Sequence, residues 1–413
     1  MSKKGRGILK MRREEKGITL VALIITIVVM LILVAVSINV IVNSNLIGYS
    51  EKTGDAYSGA IKNEENFGND GITINDKEYA SIDDYIESRK PLPEGAGKKF
   101  TETKEYTDGT KTAVIPGGFT VSGIRKETRI DEGLVIYLIP DDEIENVKWD
   151  GTEKTKYDQF VWIPVSNANK MFMCQAKTES DSGCDLKIEG NEVICQTHKT
   201  ADATKSKNMA GRLYATGAGE SFNSSLTTQT YNANSGLREP AKLSSTNSSF
   251  VDQEEEPNLD LQTEYNNAVK KVIESKGFWI GRYETTGMSS SNDDIAVNIV
   301  AGKGTSDGIG DVNWYRMYKQ QQNYANKKNL DTSKIQSTMI FGAAYDQTMI
   351  FANCEKATTS AKDYSAVITG NVETDCYKNI YDLCGNLREW TTEANNTYYR
   401  ISRGRQLWRQ YFC

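Results

Sequence analysis

From Ile18 to Ile38 every residue is apolar or carries no more than a Thr or Ser hydroxyl. A helix of that length covers roughly 30 Å, the thickness of a bilayer's hydrocarbon core, so the pattern predicts a membrane-spanning helix over 18–42. The basic residues Lys3, Lys4, Arg6, Lys10, Arg12, Arg13 and Lys16 precede it. They predict a cytoplasmic N-terminus, and hence a single-pass protein of the cell membrane with its C-terminal part extracellular. The chain then turns polar over 43–99, read as a stalk and linker. Within it Ile72, Ile74, Tyr79, Ile82 and Tyr85 are enough for a small hairpin and helix, and Pro91-Leu92-Pro93-Glu94-Gly95-Ala96-Gly97 reads as a connector.

Beyond residue 100 the pattern is that of a packed domain extending to residue 413. Gly118–Val121, Leu134–Tyr137 and Phe160–Val165 have the β-branched and aromatic content of strands. Ser, Thr, Asn and Gly dominate about 166–258, which reads as a low-complexity surface insertion. Leu261, Tyr265, Ala268, Val269, Val272 and Ile273 recur at three and four, predicting a helix that ends at Gly277. Phe278–Glu284 alternates like a strand, and helices are predicted over 312–326 and 343–353. Strands and helices without regular βαβ alternation predict an α+β domain.

Composition narrows the chemistry. The net charge of −6 and the single His among 413 residues disfavour nucleic-acid partners and His-rich metal sites. The seven cysteines, Cys174, Cys184, Cys195, Cys354, Cys376, Cys384 and Cys413, are an odd number, and outside a membrane they are expected in disulfides whose pairing spacing does not reveal. Cys174, Cys184, Cys195 and His198 have zinc-ligand chemistry but lack a short C-x₂₋₄-C knuckle, which weighs against a zinc site.

Around Lys16-Gly17-Ile18-Thr19-Leu20-Val21 the chain resembles the processing site of type IV prepilins, over about residues 10–45. The resemblance implies that a prepilin peptidase cuts between Gly17 and Ile18, removes the 1–17 leader and methylates the new amino group. Other pilin subunits would then be partners, although Ala22 stands where the family usually has Glu.

A second resemblance rests on Phe278-x-Ile280-Gly281-x-Tyr283-Glu284-x-Thr286, then Asp382-Leu383-Cys384-Gly385-Asn386-Leu387-Arg388-Glu389-Trp390-Thr391 and Arg400-Ile401-Ser402-Arg403-Gly404. Together they resemble the sulfatase-modifying factor family of formylglycine-generating enzymes, which implies a variant C-type-lectin fold. It also implies a Ca²⁺ ion held by the side chains of Asp382 and Glu389 and the carbonyls of Gly385 and Leu387, oxygen donors that suit this ion. The alternative is a metal-free loop in which Asp382 and Glu389 pair with Arg388 or Arg400.

That family's oxidases place two Cys after the Arg-rich motif, where this sequence has only Cys413. The expectation is therefore a non-catalytic domain for recognition of an extracellular ligand. Asn395, Asn396, Tyr398 and Tyr399 resemble the variable positions of lectin-like targets of diversity-generating retroelements and are the candidate ligand-binding residues. If Arg405 to Cys413 are encoded CGG CAA CTA TGG CGA CAG TAT TTC TGC, a one-base shift after Gly404 reads Gly-Asn-Tyr-Gly, so a frameshifted or truncated C-terminus is a further expectation. An oxidase or degenerate relative of one, and a minor pilin subunit, remain the alternatives.

Overall fold

The computed structural model describes residues 72–75, 77–79, 81–177, 183–212, 239–240, 260–302, 312–353, 368–371, 375–383, 389–394 and 400–403. The chain divides into two compact units, Met1–Lys90 and Pro91–Cys413. In the first, β1 (Ile72–Ile74) and β2 (Lys77–Tyr79) form an antiparallel hairpin, with Asn75 in the left-handed region that a tight turn requires. Helix α1 (Ile82–Arg89) follows, and its Tyr85 ring meets Tyr79 edge-on at 5.2 Å.

The second unit begins with the hairpin of β3 (Lys104–Thr107) and β4 (Thr112–Ile115), followed by β5 (Thr120–Val121), β6 (Val135–Leu138) and β7 (Asp158–Pro164). Short elements come next: α2 (Ala168–Met171), β8 (Phe172–Cys174), β9 (Leu186–Glu189), β10 (Glu192–Cys195), α3 (Ala203–Lys207) and β11 (Met209–Gly211). Helix α4 (Leu261–Ser275) leads directly into β12 (Gly277–Gly281). Helices α5 (Trp314–Gln322), α6 (Tyr324–Lys327) and α7 (Gly342–Ala352) precede the two hairpins of β13 (Cys376–Tyr377) with β14 (Ile380–Tyr381) and β15 (Glu389–Ala394) with β16 (Arg400–Arg403).

The largest sheet is antiparallel in the order β12-β7-β6-β5, and both of its faces are covered. Alternation along its strands sends Val121, Ile136 and Trp162 to one face, against Tyr106 and Ile115. Val135, Tyr137, Val161 and Ile163 go to the other, against Tyr345 and Met349 of α7. That double burial explains the near-continuous apolar run in β7. In α4 the residues Leu261, Tyr265, Val269 and Val272 form the buried stripe, and the Asp260 carboxylate accepts the Thr263 amide at the N-cap. Its left-handed C-cap is Lys276 and not Gly277. Gly277 lacks a side chain for another reason: a Cβ there would lie 2.2 Å from the Trp162 ring.

Three expectations are corrected. The first is the N-terminal spanning helix ahead of a single lectin-like body. Among the described residues no helix is long and apolar enough to cross a membrane, and their elements are short helices and several small sheets. The longest described helix, α4, has 15 residues, about 22 Å at 1.5 Å per residue, and it carries Lys270 and Lys271. The 18–42 segment and the processing pair Gly17 and Ile18 lie outside the described residues. The second correction follows from the first: the single-pass membrane placement depended on that helix, and no spanning helix among the described residues supports it. The third concerns the polar stretch from residue 166. Its first part is not an excursion, since Met171, Phe172, Met173, Leu186, Val193, Met209 and Ala210 pack in one core cluster with Tyr265 and Val269 of α4.

Gly133 shows how tightly distant parts of this unit meet. It sits at φ +89°, and a Cβ there would stand 1.9 Å from the Lys378 carbonyl oxygen. The Asn379 side-chain amide Nδ2 donates to the Gly133 carbonyl at 2.7 Å from the same turn. Gly133→Ala is expected to cost on the order of 3 kcal/mol, because a left-handed backbone and a backbone clash add. Gly109, at φ +91° with nothing near its missing Cβ, supplies the comparison. Gly109→Ala should lower the urea midpoint clearly less, and equal losses would show that the contact with Lys378 contributes nothing.

Candidate functional site

A cavity of about 1350 Å³ opens within the second unit, beside β12 and the helices packed near it. Its lining includes Phe278, Trp279, Met288, Trp314, Tyr315 and Trp390, with Gln336, Glu389 and Arg400 as polar groups. Trp314 is fixed from three sides. Its indole N–H donates to the Thr391 carbonyl at 2.9 Å, Tyr318 stacks on it at 5.0 Å, and the Arg400 guanidinium lies 3.8 Å from its ring centre. A large, predominantly apolar cavity with immobilised aromatic walls, whose lining also includes charged side chains such as Lys271, Glu284 and Lys334, has the makeup of a small-molecule site.

The two motif segments that carried the second resemblance are neighbours. The Tyr381 amide donates to the Arg282 carbonyl at 2.9 Å, and the Tyr283 and Tyr381 rings stack at 5.1 Å. Asp382 is buried in the left-handed conformation, and its carboxylate accepts the Thr369 hydroxyl at 2.7 Å and the Gly370 amide at 2.9 Å. Burial pushes its carboxyl up, and burial together with Asp382 pushes Asp375 up to about 6. Glu389 is half-buried at the start of β15, opposite Arg403. Gly385 and Leu387, and all four candidate ligand residues Asn395, Asn396, Tyr398 and Tyr399, lie outside the described residues. Both bonds go to one oxygen of Asp382, Oδ2.

A buried polar network that the sequence did not signal joins three distant segments. Glu239 accepts the Gly342 and Ala343 amides at the start of α7 and the Thr392 hydroxyl at 2.8 Å. Glu393 receives the Arg403 guanidinium through two bonds of 2.7 and 2.5 Å, and Asp346 lies 3.9 Å from the same guanidinium. Burial, and secondarily Glu393, pushes the Glu239 carboxyl up to about 8. Only Arg403 of this set lay in a motif singled out from the sequence.

The densest concentration of chemistry lies elsewhere, in the stretch read from sequence as an excursion. Cys174 ends β8, Cys184 precedes β9, Cys195 ends β10, and His198 sits in the bend after it. Their four ligand atoms lie within 4.8 Å of one another, and all four side chains are buried. The His198 Nδ1 atom is 3.2 Å from the Cys174 sulfur, 3.6 Å from that of Cys184 and 3.2 Å from that of Cys195. The expectation of disulfides is corrected for these residues: Cys174, Cys184 and Cys195 are thiols, as is Cys376. Cys354, Cys384 and Cys413 lie outside the described residues. A short spacing was present after all, as Cys195-Gln196-Thr197-His198 is a C-x₂-H step. Among the described residues this is the one group of three or more Cys, His, Asp or Glu ligands converging on a point.

Comparison with protein-family models, with characterised proteins and with solved structures finds no match to this chain.

Proposed function

We propose that the protein is a non-catalytic recognition protein that takes a small, largely apolar ligand into the cavity beside β12. The cavity itself carries this reading: about 1350 Å³ with Trp279, Trp314 and Trp390 among its walls. Flat rigid rings offer stacking area at little entropic cost, and Arg400 and Glu389 supply charged contacts that orient a ligand bearing a polar end.

The probe of choice is anilinonaphthalene sulfonate, an aromatic molecule with an anionic end. Saturable binding at one site is expected on the folded protein. Met288→Trp, which places a larger side chain in the cavity wall, should weaken it at least about tenfold, or 1.4 kcal/mol, without lowering the melting temperature. Binding that is unaffected by this substitution, or that appears only as the protein unfolds, would refute the cavity as the site.

A further inference from the structure

We infer that Cys174, Cys184, Cys195 and His198 bind one zinc ion, forming a closed structural site that ties the β9–β10 hairpin to β8. The donors suit the metal: three sulfurs and an imidazole nitrogen are one of the sets that structural zinc takes. The distances suit it as well. Bonds of about 2.3 Å to sulfur and about 2.0–2.1 Å to nitrogen, arranged tetrahedrally, separate the ligand atoms by roughly 3.5–3.8 Å. Here the nitrogen-to-sulfur distances are 3.2, 3.6 and 3.2 Å, and the Cys174 and Cys184 sulfurs are 3.8 Å apart. A cluster confined within 4.8 Å has room for one ion at its centre.

The alternatives are weaker on the same geometry. A disulfide needs its sulfurs about 2.05 Å apart and would use two of the thiols, leaving no reason for the third and for His198 to converge on them. A hydrogen-bonded cluster of thiols is also a poor account. Three thiols face one ring nitrogen, which can accept one proton at most, while a metal ion satisfies all four donors together.

The surroundings are those of a thiolate site. The Cys174 amide donates to the Cys184 sulfur at 3.4 Å, a contact that favours the ionised form. Three thiolates, a neutral imidazole and Zn²⁺ carry a net charge of −1, and Arg212 acts on Cys184 as a nearby positive charge. Arg212 is itself buried and held by its Nε bond to the Phe172 carbonyl at 2.9 Å. Because all four positions are filled by protein and the side chains are 0 to 8 % exposed, no position is left for a reacting water. The site is therefore structural and not catalytic.

Local architecture supplies the need for such an ion. Among the described residues β8 pairs only with β11, and β9 only with β10, so each is a two-stranded ribbon of four residues or fewer. Isolated ribbons of this size are marginal in water. The ion would join them through Cys174 on one and Cys184, Cys195 and His198 at the open end of the other, where Cys195 pairs with Leu186.

The test uses the whole protein purified without chelators. Elemental analysis is expected to find one zinc per chain, and cobalt exchanged into the site should give the intense visible bands of tetrahedral Co²⁺ with a sulfur charge-transfer band. Cys195→Ser and His198→Ala should each lose the stoichiometric zinc, while Cys376→Ser, outside the cluster, should keep it. If the first two variants fail to fold, X-ray absorption of the unmodified protein decides the matter. Three sulfurs and one nitrogen at about 2.3 and 2.0 Å would support the site. A native, metal-free protein that takes up no cobalt would overturn it, as would a disulfide between any two of Cys174, Cys184 and Cys195 found by mass spectrometry.

Discussion

Arg403→Met is expected to destabilise the second unit by about 3–5 kcal/mol, because it leaves buried carboxylates without their cation. Glu393 and Asp346 are fully enclosed, Glu239 is 2 % exposed, and Arg403 is the guanidinium bonded to Glu393. The loss should be smaller below about pH 8 than above it. Glu239, with a carboxyl pushed up to about 8 by burial and by Glu393, then carries a proton and repels its neighbour less. The sign for the unmodified protein follows from the same residue. A carboxyl raised from 4.5 to about 8 binds its proton more tightly when folded, so its contribution to stability is complete below about pH 4.5 and is lost as the pH rises towards 8. Urea unfolding of Glu239→Gln should accordingly show a flatter pH profile over that interval. An Arg403→Met loss below about 1 kcal/mol, the range of an exposed ion pair, would mean that the network relaxes to water when opened.

Arg282→Met is expected to cost a similar 3–5 kcal/mol, and the double substitution with Glu127→Leu should recover part of it. The two charges are 2.7 Å apart, and both residues are buried, at 6 and 5 % exposure. Glu127 also accepts the Ser122 hydroxyl at 2.7 Å and the Tyr137 hydroxyl at 2.8 Å, and Arg282 donates to the Gln159 side chain at 3.0 Å. Hydroxyls alone cannot offset a buried carboxylate, so removal of one partner should hurt more than removal of both. The measurement is a double-mutant cycle in urea. Losses that simply add would show that Glu127 and Arg282 are held independently.

Legibility of the fold in the sequence followed the physics of burial. β6, β7, α4 and β12 were readable because their apolar residues recur with the period of a strand or a helix and are numerous enough to rise above the polar background. β8, β9, β10 and β11 were not, since strands of three or four residues are too short to display a period. Their burial depends on α4, which begins about fifty residues after β11 ends. The cysteine cluster was visible as residue types, and the gaps of nine and ten residues between its thiols concealed the shared centre. Only the C-x₂-H step at Cys195 and His198 had a diagnostic length. Glu239 was invisible for a different reason. A carboxylate in a polar stretch reads as solvated, and nothing local shows that it caps a helix beginning at Gly342.

The order of strands in the largest sheet sets a timetable for the ribosome. β7 has β6 on one side from early on, but its other neighbour, β12, ends at Gly281, 117 residues after Pro164. At roughly 5–20 residues per second, the backbone edge of Phe160, Val161, Trp162 and Ile163 stays unpaired for about 6 to 23 seconds during synthesis. An open apolar edge is a template for pairing with other chains. The nascent chain is therefore most exposed to aggregation in that interval, and slower translation between residues 165 and 281 lengthens the hazard.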